Sequence, residues 1–287
     1  MDIEELVENF KTLSKLYINP LIIESVKMMG DLLHTGIIIR HFRTIDKNRN
    51  ILWAISEKYL DTLKYFPYAT KLIGMPHELS LENRQNLLKQ LRNNFGKYNV
   101  LSGCPGVSGW NIAGSIADQF FHNVGIKKLV IPRRPILPLS VEDHAWAVEF
   151  MKTHNLKRFA TMEYNSFSFE RKKKGGIWPL ACYEELLENI KGPIVWLAHN
   201  DAPSFKSGID GRQTTFRQAA ALIKLSSIFL GSGSGLTMVA ATEGMNTPIY
   251  ELGIGRTITM RGCGYKDSIS INESPKEVAK LVNDYLK

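Results

Sequence analysis

Apolar residues open the chain at helical spacing: Ile3, Leu6, Val7, Phe10, Leu13 and Leu16 fall on one face, predicting an amphipathic helix. A short run from Pro20 to Lys27, centred on Leu21-Ile22-Ile23, then reads as a buried strand. It leads through Met29-Gly30-Asp31 into a helical pattern from Leu32 to Phe42. Ile51 to Ser56 predicts a second strand, followed by a helix containing Tyr59, Leu60, Leu63 and Tyr65. Lys71-Leu72-Ile73 predicts a third strand, Ser80 to Phe95 a polar helix, and Tyr98 to Leu101 a fourth strand. Strands alternating with helices imply a parallel sheet covered on both faces.

The texture changes between Ile126 and Leu139, where Pro132, Pro135 and Pro138 accompany Arg133-Arg134 without helical period. Such a stretch reads as a linker. Beyond it, Ser140 with Asp143 three residues on forms a capping-box signal. The alternation then resumes: strand Lys157–Glu163, helix Pro179–Ile190, strand Pro193–Ala198, and a helix from Phe216 to Lys224 capped by Thr215. Strand Ile228–Leu230 ends in Gly231-Ser232-Gly233-Ser234-Gly235, before a helix from Leu236 to Thr242. Pro248 to Leu252 is the next strand. Ser274-Pro275-Lys276-Glu277 opens a final helix to Leu286 with an N-cap, a proline at N1 and a glutamate at N3. Two α/β halves follow, residues 1–134 and 135–287, with the last helix able to pack back on the first half.

Composition keeps this picture and adds a charge. At 287 residues, 44% hydrophobic and 22% charged, the chain can build a full globular core. Its start lacks a basic region before an apolar run, so the expectation is a cytoplasmic protein without signal peptide or membrane helix. Cys104, Cys182 and Cys263 lie far apart, which argues for reduced thiols and against a zinc site. The net charge of +8 suits a phosphate-bearing ligand or an anionic membrane surface. Nucleic acid is excluded, because the basic residues are not interleaved with aromatics in a recognisable module.

Three places could carry chemistry. The glycines of Gly231–Gly235 sit between strand and helix, where a phosphate could approach the backbone and the helix N-terminus. Neither the GxGxxG spacing nor a Walker lysine is present, and a tight structural turn explains the glycines as well. Asp31 sits at a helix start as an N-cap or as a general base facing a ligand. The loop Arg171 to Lys174, followed by Gly175-Gly176, could clamp a diphosphate or simply be solvated.

In order, and over residues 20 to 253, these segments resemble the heptosyltransferase-type glycosyltransferases of glycosyltransferase family 9. Met29-Gly30-Asp31-Leu32-Leu33-His34-Thr35 with Ile37 to Arg43 is similar to that family's first strand–loop–helix. Ile51-Leu52-Trp53 and Phe66-Pro67 are similar to its second unit, and Trp178-Pro179 to its tryptophan–proline helix start. Thr214 to Ile223 resembles the helix before the donor loop, and Leu230 to Gly235 with Thr247-Pro248-Ile249 the donor loop and the strand after it. In two places the chain departs from the family. Gly233 and Met238 stand where the family carries an aspartate and a histidine, and the nearest lysine before Trp178 is Lys174. Those departures leave the donor sugar open.

The resemblance implies a GT-B fold, two Rossmann-like domains facing across a cleft. It implies inverting, metal-independent transfer of a sugar from a nucleotide-diphosphate sugar to a hydroxyl of an envelope glycan of the lipopolysaccharide type, with no cofactor. Asp31 is then the catalytic base. Donor binding falls to Lys172, Lys173, Lys174, Thr214, Thr215, Gly233, Ser234 and Gly235, and acceptor binding to His34 and Arg40. A lipid-linked acceptor and the positive charge would set the protein at the inner face of a membrane. Two other readings fit the same residues, a nucleotide-sugar-binding protein without turnover and a nucleotide-sugar epimerase.

Overall fold

The computed structural model describes residues 3–25, 28–77, 79–103, 116–164, 178–200, 202–252, 268–271 and 273–287. They divide into two compact units, Met1–Pro138 and Leu139–Lys287. Both are α/β with parallel sheets.

The first unit is built on β1 (Leu21–Ser25), β2 (Ile51–Ser56), β3 (Lys71–Met75) and β4 (Val100–Ser102), in spatial order β3-β2-β1-β4. β1 and β2 are buried along their whole length, as strands covered on both faces must be. Side chains alternate between the faces. Leu52 and Ala54 join a cluster with Leu6, Val7 and Phe10 of α1 (Ile3–Ser14) and Leu87, Leu88 and Leu91 of α4 (Leu81–Phe95). Trp53 points the other way, toward α2 (Met29–Ile45), where Gly36 and Phe66 border its ring. The first helix, which precedes the family-like region, therefore covers one face of its own sheet. Between β2 and β3 the helical expectation shrinks to a 3₁₀ turn and the single turn α3 (Leu60–Leu63). The helix α5 (Ile116–Asn123) was not expected.

The second unit orders its strands β10-β9-β8-β5-β6-β7: β5 (Ala160–Glu163), β6 (Ile194–Leu197), β7 (Ile209–Asp210), β8 (Ile228–Gly231), β9 (Ile249–Leu252) and β10 (Ser268–Ile271). β7 and β10 were not expected. Ala160, Met162, Trp196 and Leu230 pack under α7 (Leu180–Asn189) and α10 (Pro275–Leu286). The last helix thus packs on its own unit. Asn283 fixes it there, accepting from Lys191 N at 2.7 Å and donating to Asn189 O at 3.0 Å.

Local signals in the sequence set most helix starts. Ser140 caps α6 (Val141–Thr153) with Asp143 returning the bond, Thr215 caps α8 (Phe216–Leu225), and Ser274 with Glu277 caps α10. Asp143 does more: Arg217 of α8, itself buried, donates Nε to it at 3.2 Å and Nη2 to its second oxygen. Burial alone would raise the Asp143 carboxyl, but its bonds to Arg217 and Ser140 hold it below the ordinary range. α2 starts a turn earlier than its apolar pattern, at Met29, with Met28 as N-cap. Asp31 is consequently not the N-cap but the third helical residue, its carboxylate accepting from Met28 N at 3.4 Å.

Candidate functional site

In an open parallel sheet, ligands gather beyond the carboxyl ends of the strands where the strand order reverses. That point lies between β1 and β4 in the first unit and between β5 and β8 in the second. In each unit the first strand carries a buried glutamate near this end: Glu24 on β1 and Glu163 on β5.

Glu24 is completely buried and meets Arg84 of α4, also completely buried. Arg84 Nε and Nη2 donate to its Oε1 at 2.8 and 2.6 Å, and Ser102 Oγ donates to Oε2 at 3.0 Å. Beside this pair, Thr35 of α2 closes on Gly103, its hydroxyl donating to Asp31 O and Gly103 O. A Cβ on Gly103 would stand 2.6 Å from the Thr35 hydroxyl, so only glycine fits there.

One step outward lies Asp31, partly exposed, with Tyr59 beside it. Burial first, and the Asp31 carboxylate second, raise the Tyr59 phenol above its ordinary range, while the Met29 N–H works in the opposite direction. The Tyr59 ring meets His77 edge-on at 6.1 Å, and His77 Nδ1 shares a 2.9 Å hydrogen bond with the buried Ser56 hydroxyl. A carboxylate, a phenol and an imidazole thus lie at one strand edge. Such a set can accept a proton from a hydroxyl and orient its bearer.

His34 and Arg40 do not join this group. His34 is 2% exposed and stacks on Phe120 at 4.9 Å, and burial lowers its imidazole to about 4. His34, expected at the acceptor, lies in the interior of the unit. Arg40 lies nine residues beyond Asp31, about 13 Å along the helix axis, and its guanidinium sits over Tyr68 at 5.6 Å.

In the second unit, Glu163 is 4% exposed and holds the glycine loop. Its carboxylate accepts from Ser232 N and Thr237 Oγ1, both at 3.1 Å, and from the Ser234 hydroxyl. Thr237 Oγ1 in turn accepts from Gly233 N at 2.9 Å and Ser234 N at 3.2 Å. Ser234 caps α9 (Gly235–Ala240), accepting from Leu236 N at 3.1 Å. Gly233 has φ 70°, which favours glycine. A Cβ on Gly231 would stand 2.5 Å from the Thr237 hydroxyl. The sequence suggested loop N–H groups open to a phosphate; here those of Ser232, Gly233 and Ser234 are engaged by Glu163 and Thr237.

Thr214 and Thr215 follow β7. Thr214 Oγ1 donates to Gly211 O at 2.7 Å, and Thr215 Oγ1 accepts from Gln218 N at 3.2 Å. Lys172, Lys173 and Lys174 lie outside the described residues. Sequence reasoning missed Glu24, Arg84, Glu163 and His77. A charged residue within an otherwise apolar buried strand was the available signal for both glutamates.

No protein-family model matches the chain, and no curated protein matches it in sequence. Solved structures do match in fold. The chain is similar to a glycosyl transferase family 9 protein from Veillonella parvula DSM 2008 at TM-score 0.63 and 13% identity, covering 92% of this chain and 90% of that one. It is similar to the E. coli ADP-heptose lps heptosyltransferase II at TM-score 0.65 and 15% identity, covering 93% and 98%. It is also similar to an E. coli heptosyltransferase solved with ADP, at TM-score 0.57 and 12% identity, covering 92% and 99%. The fold of this chain is the α/β, two-unit GT-B fold of these glycosyltransferases.

Proposed function

We propose that the chain is a glycosyltransferase that moves a sugar from a nucleotide-diphosphate sugar to a hydroxyl of an envelope or surface glycan, with inversion and without metal. One observation carries the reading: a partly exposed carboxylate, Asp31, follows the carboxyl end of β1 and has Tyr59 beside it, and ligands of such sheets bind beyond the carboxyl ends of the strands. The fold shared with heptosyltransferases supports it. In this mechanism Asp31 takes the proton of the acceptor hydroxyl as its oxygen attacks the anomeric carbon. The nucleoside diphosphate departs from the opposite face, which inverts the configuration. Lys172 to Lys174 and the start of α9 would take up the leaving charge, the task a metal performs elsewhere. The work would be done at the inner face of a membrane.

The test titrates nucleotide-diphosphate sugars of differing base and sugar into the protein by calorimetry. It then follows acceptor-dependent release of nucleoside diphosphate. Binding of one donor with acceptor-dependent release is expected; release that needs no acceptor, or no donor bound at all, contradicts the proposal. A second reading, donor binding without turnover, is favoured by the loop itself. Gly233 offers no side chain where the related loops carry an aspartate, and the loop N–H groups are internally bonded. Binding without release would select it.

A further inference from the structure

At the amino ends of the strands in the first unit, three large apolar side chains stand in solvent: Leu16 at 72% exposure, Ile18 at 86% and Tyr98 at 88%. They belong to one surface. The register Ile22↔Val100 lays the segment before β1 alongside the segment before β4. Leu21 N donates to Asn50 O at 2.8 Å, Asn50 Nδ2 reaches Ile18 O at 3.4 Å, and Arg49 Nη2 donates to Asn99 Oδ1 at 2.7 Å. The segments before β1, β2 and β4 are thereby tied into a single edge. Exposed Lys15, Lys47 and Lys97 lie in the same three segments, with Asp46 next to Lys47 in the chain.

The lysines alone have a simple origin. Helices run opposite to the strands they follow, so their carboxyl ends collect at this edge and favour cations. That does not account for an isoleucine, a leucine and a tyrosine held out in water, which nothing in the packing of the unit requires. Apolar tips with lysines next to them in the same segments fit one chemistry: the apolar part enters the headgroup boundary of a bilayer while the lysines meet its anionic lipids.

We propose that this edge of the first unit docks on an anionic membrane surface through Leu16, Ile18 and Tyr98, steered by Lys15, Lys47 and Lys97. The opposite ends of the strands, where Asp31 lies, then face the aqueous side, so the acceptor hydroxyl would be met on a chain standing off the bilayer. The docking itself does not depend on the transferase reading.

The experiment sediments the full chain with vesicles of phosphatidylcholine alone or mixed with phosphatidylglycerol, and uses no turnover assay. Binding to the anionic vesicles is expected, weakened by salt. Leu16→Ser/Ile18→Ser/Tyr98→Ser and, separately, Lys15→Gln/Lys97→Gln should each lower the partition coefficient by roughly tenfold or more. All five positions are exposed, and unchanged melting of the variants checks that the fold is intact. Absence of binding, equal binding to neutral vesicles, or equal binding by the variants overturns the proposal. So does self-association in place of vesicle binding, lost in the triple variant, which would assign the edge to a second copy of the chain.

Discussion

Glu24 and Glu163 occupy matching places, each near the carboxyl end of the first strand of its unit, yet they are satisfied in opposite ways. Glu24 is neutralised by a helix-borne arginine that is itself buried. Glu163 is bonded to the N–H and hydroxyl groups of the glycine loop. The difference teaches that a buried carboxylate takes its role from its partner. An ion pair between helix and strand clamps the sheet, whereas a carboxylate under a loop shapes the loop and leaves it near the ligand side of the strand. In the first unit the proposed base, Asp31, lies outside the clamp. In the second, the loop and its glutamate form the edge itself.

The strongest way to break this contrast is Glu24→Gln. It strands the Arg84 charge in the interior and should cost about 3–5 kcal/mol in denaturant unfolding. Glu24→Leu combined with Arg84→Met should recover most of that loss. Glu163→Gln, which can still accept from Ser232 N, should cost only about 1–2 kcal/mol. Equal losses at the two positions would erase the distinction.

Acid supplies the next test. Burial has lowered the His34 imidazole to about 4 from an ordinary value of 6.5. The unfolded chain then binds the proton first as pH falls, so the stability this residue contributes is full above pH 6.5 and is lost between 6.5 and 4. The loss amounts to about 3 kcal/mol. His34→Phe keeps a ring against Phe120, and its unfolding free energy should decline less than the parent's over that window. An unchanged slope would mean His34 is protonated in the folded protein.

Two glycines sharpen the comparison further. Gly103→Ala and Gly231→Ala each drive a Cβ into a threonine hydroxyl, Thr35 and Thr237 respectively, and each should cost about 1–3 kcal/mol. Smallest is Thr237→Val, which removes the acceptor of two loop N–H groups and should cost about 1 kcal/mol. A loss in thermal melting confined to the wild-type noise would show that Thr237 does not hold the loop.

Much of this was legible in the sequence where the cause is local. Ser140 with Asp143, Thr215 and Ser274 with Glu277 announce helix starts because cap and partner sit three residues apart. The start of α2 was misread because Met28, Met29 and Gly30 carry no cap signal, which hid that Asp31 is already inside the helix. β4 begins at Val100, later than its apolar run suggests, because Gly96 at φ 87° turns the chain into a 3₁₀ turn first. The ion pair of the clamp and the glutamate under the glycine loop were missed for another reason. Arg84 lies 60 residues from Glu24, and Thr237 lies 74 from Glu163, so only the folded sheet brings them together. β7 is two residues long and leaves no periodicity to read.

The proposal that Asp31 is the base, with donor binding assigned to the second unit, meets its most direct test in Asp31→Asn. The amide can still accept from Met28 N, so the start of α2 survives while the proton acceptor is removed. Transfer rate and donor affinity are measured on the same preparation. The account predicts a rate lower by about 10²–10⁴-fold with donor affinity within roughly twofold of the parent. Unchanged transfer, or a donor affinity that falls as far as the rate, would contradict it.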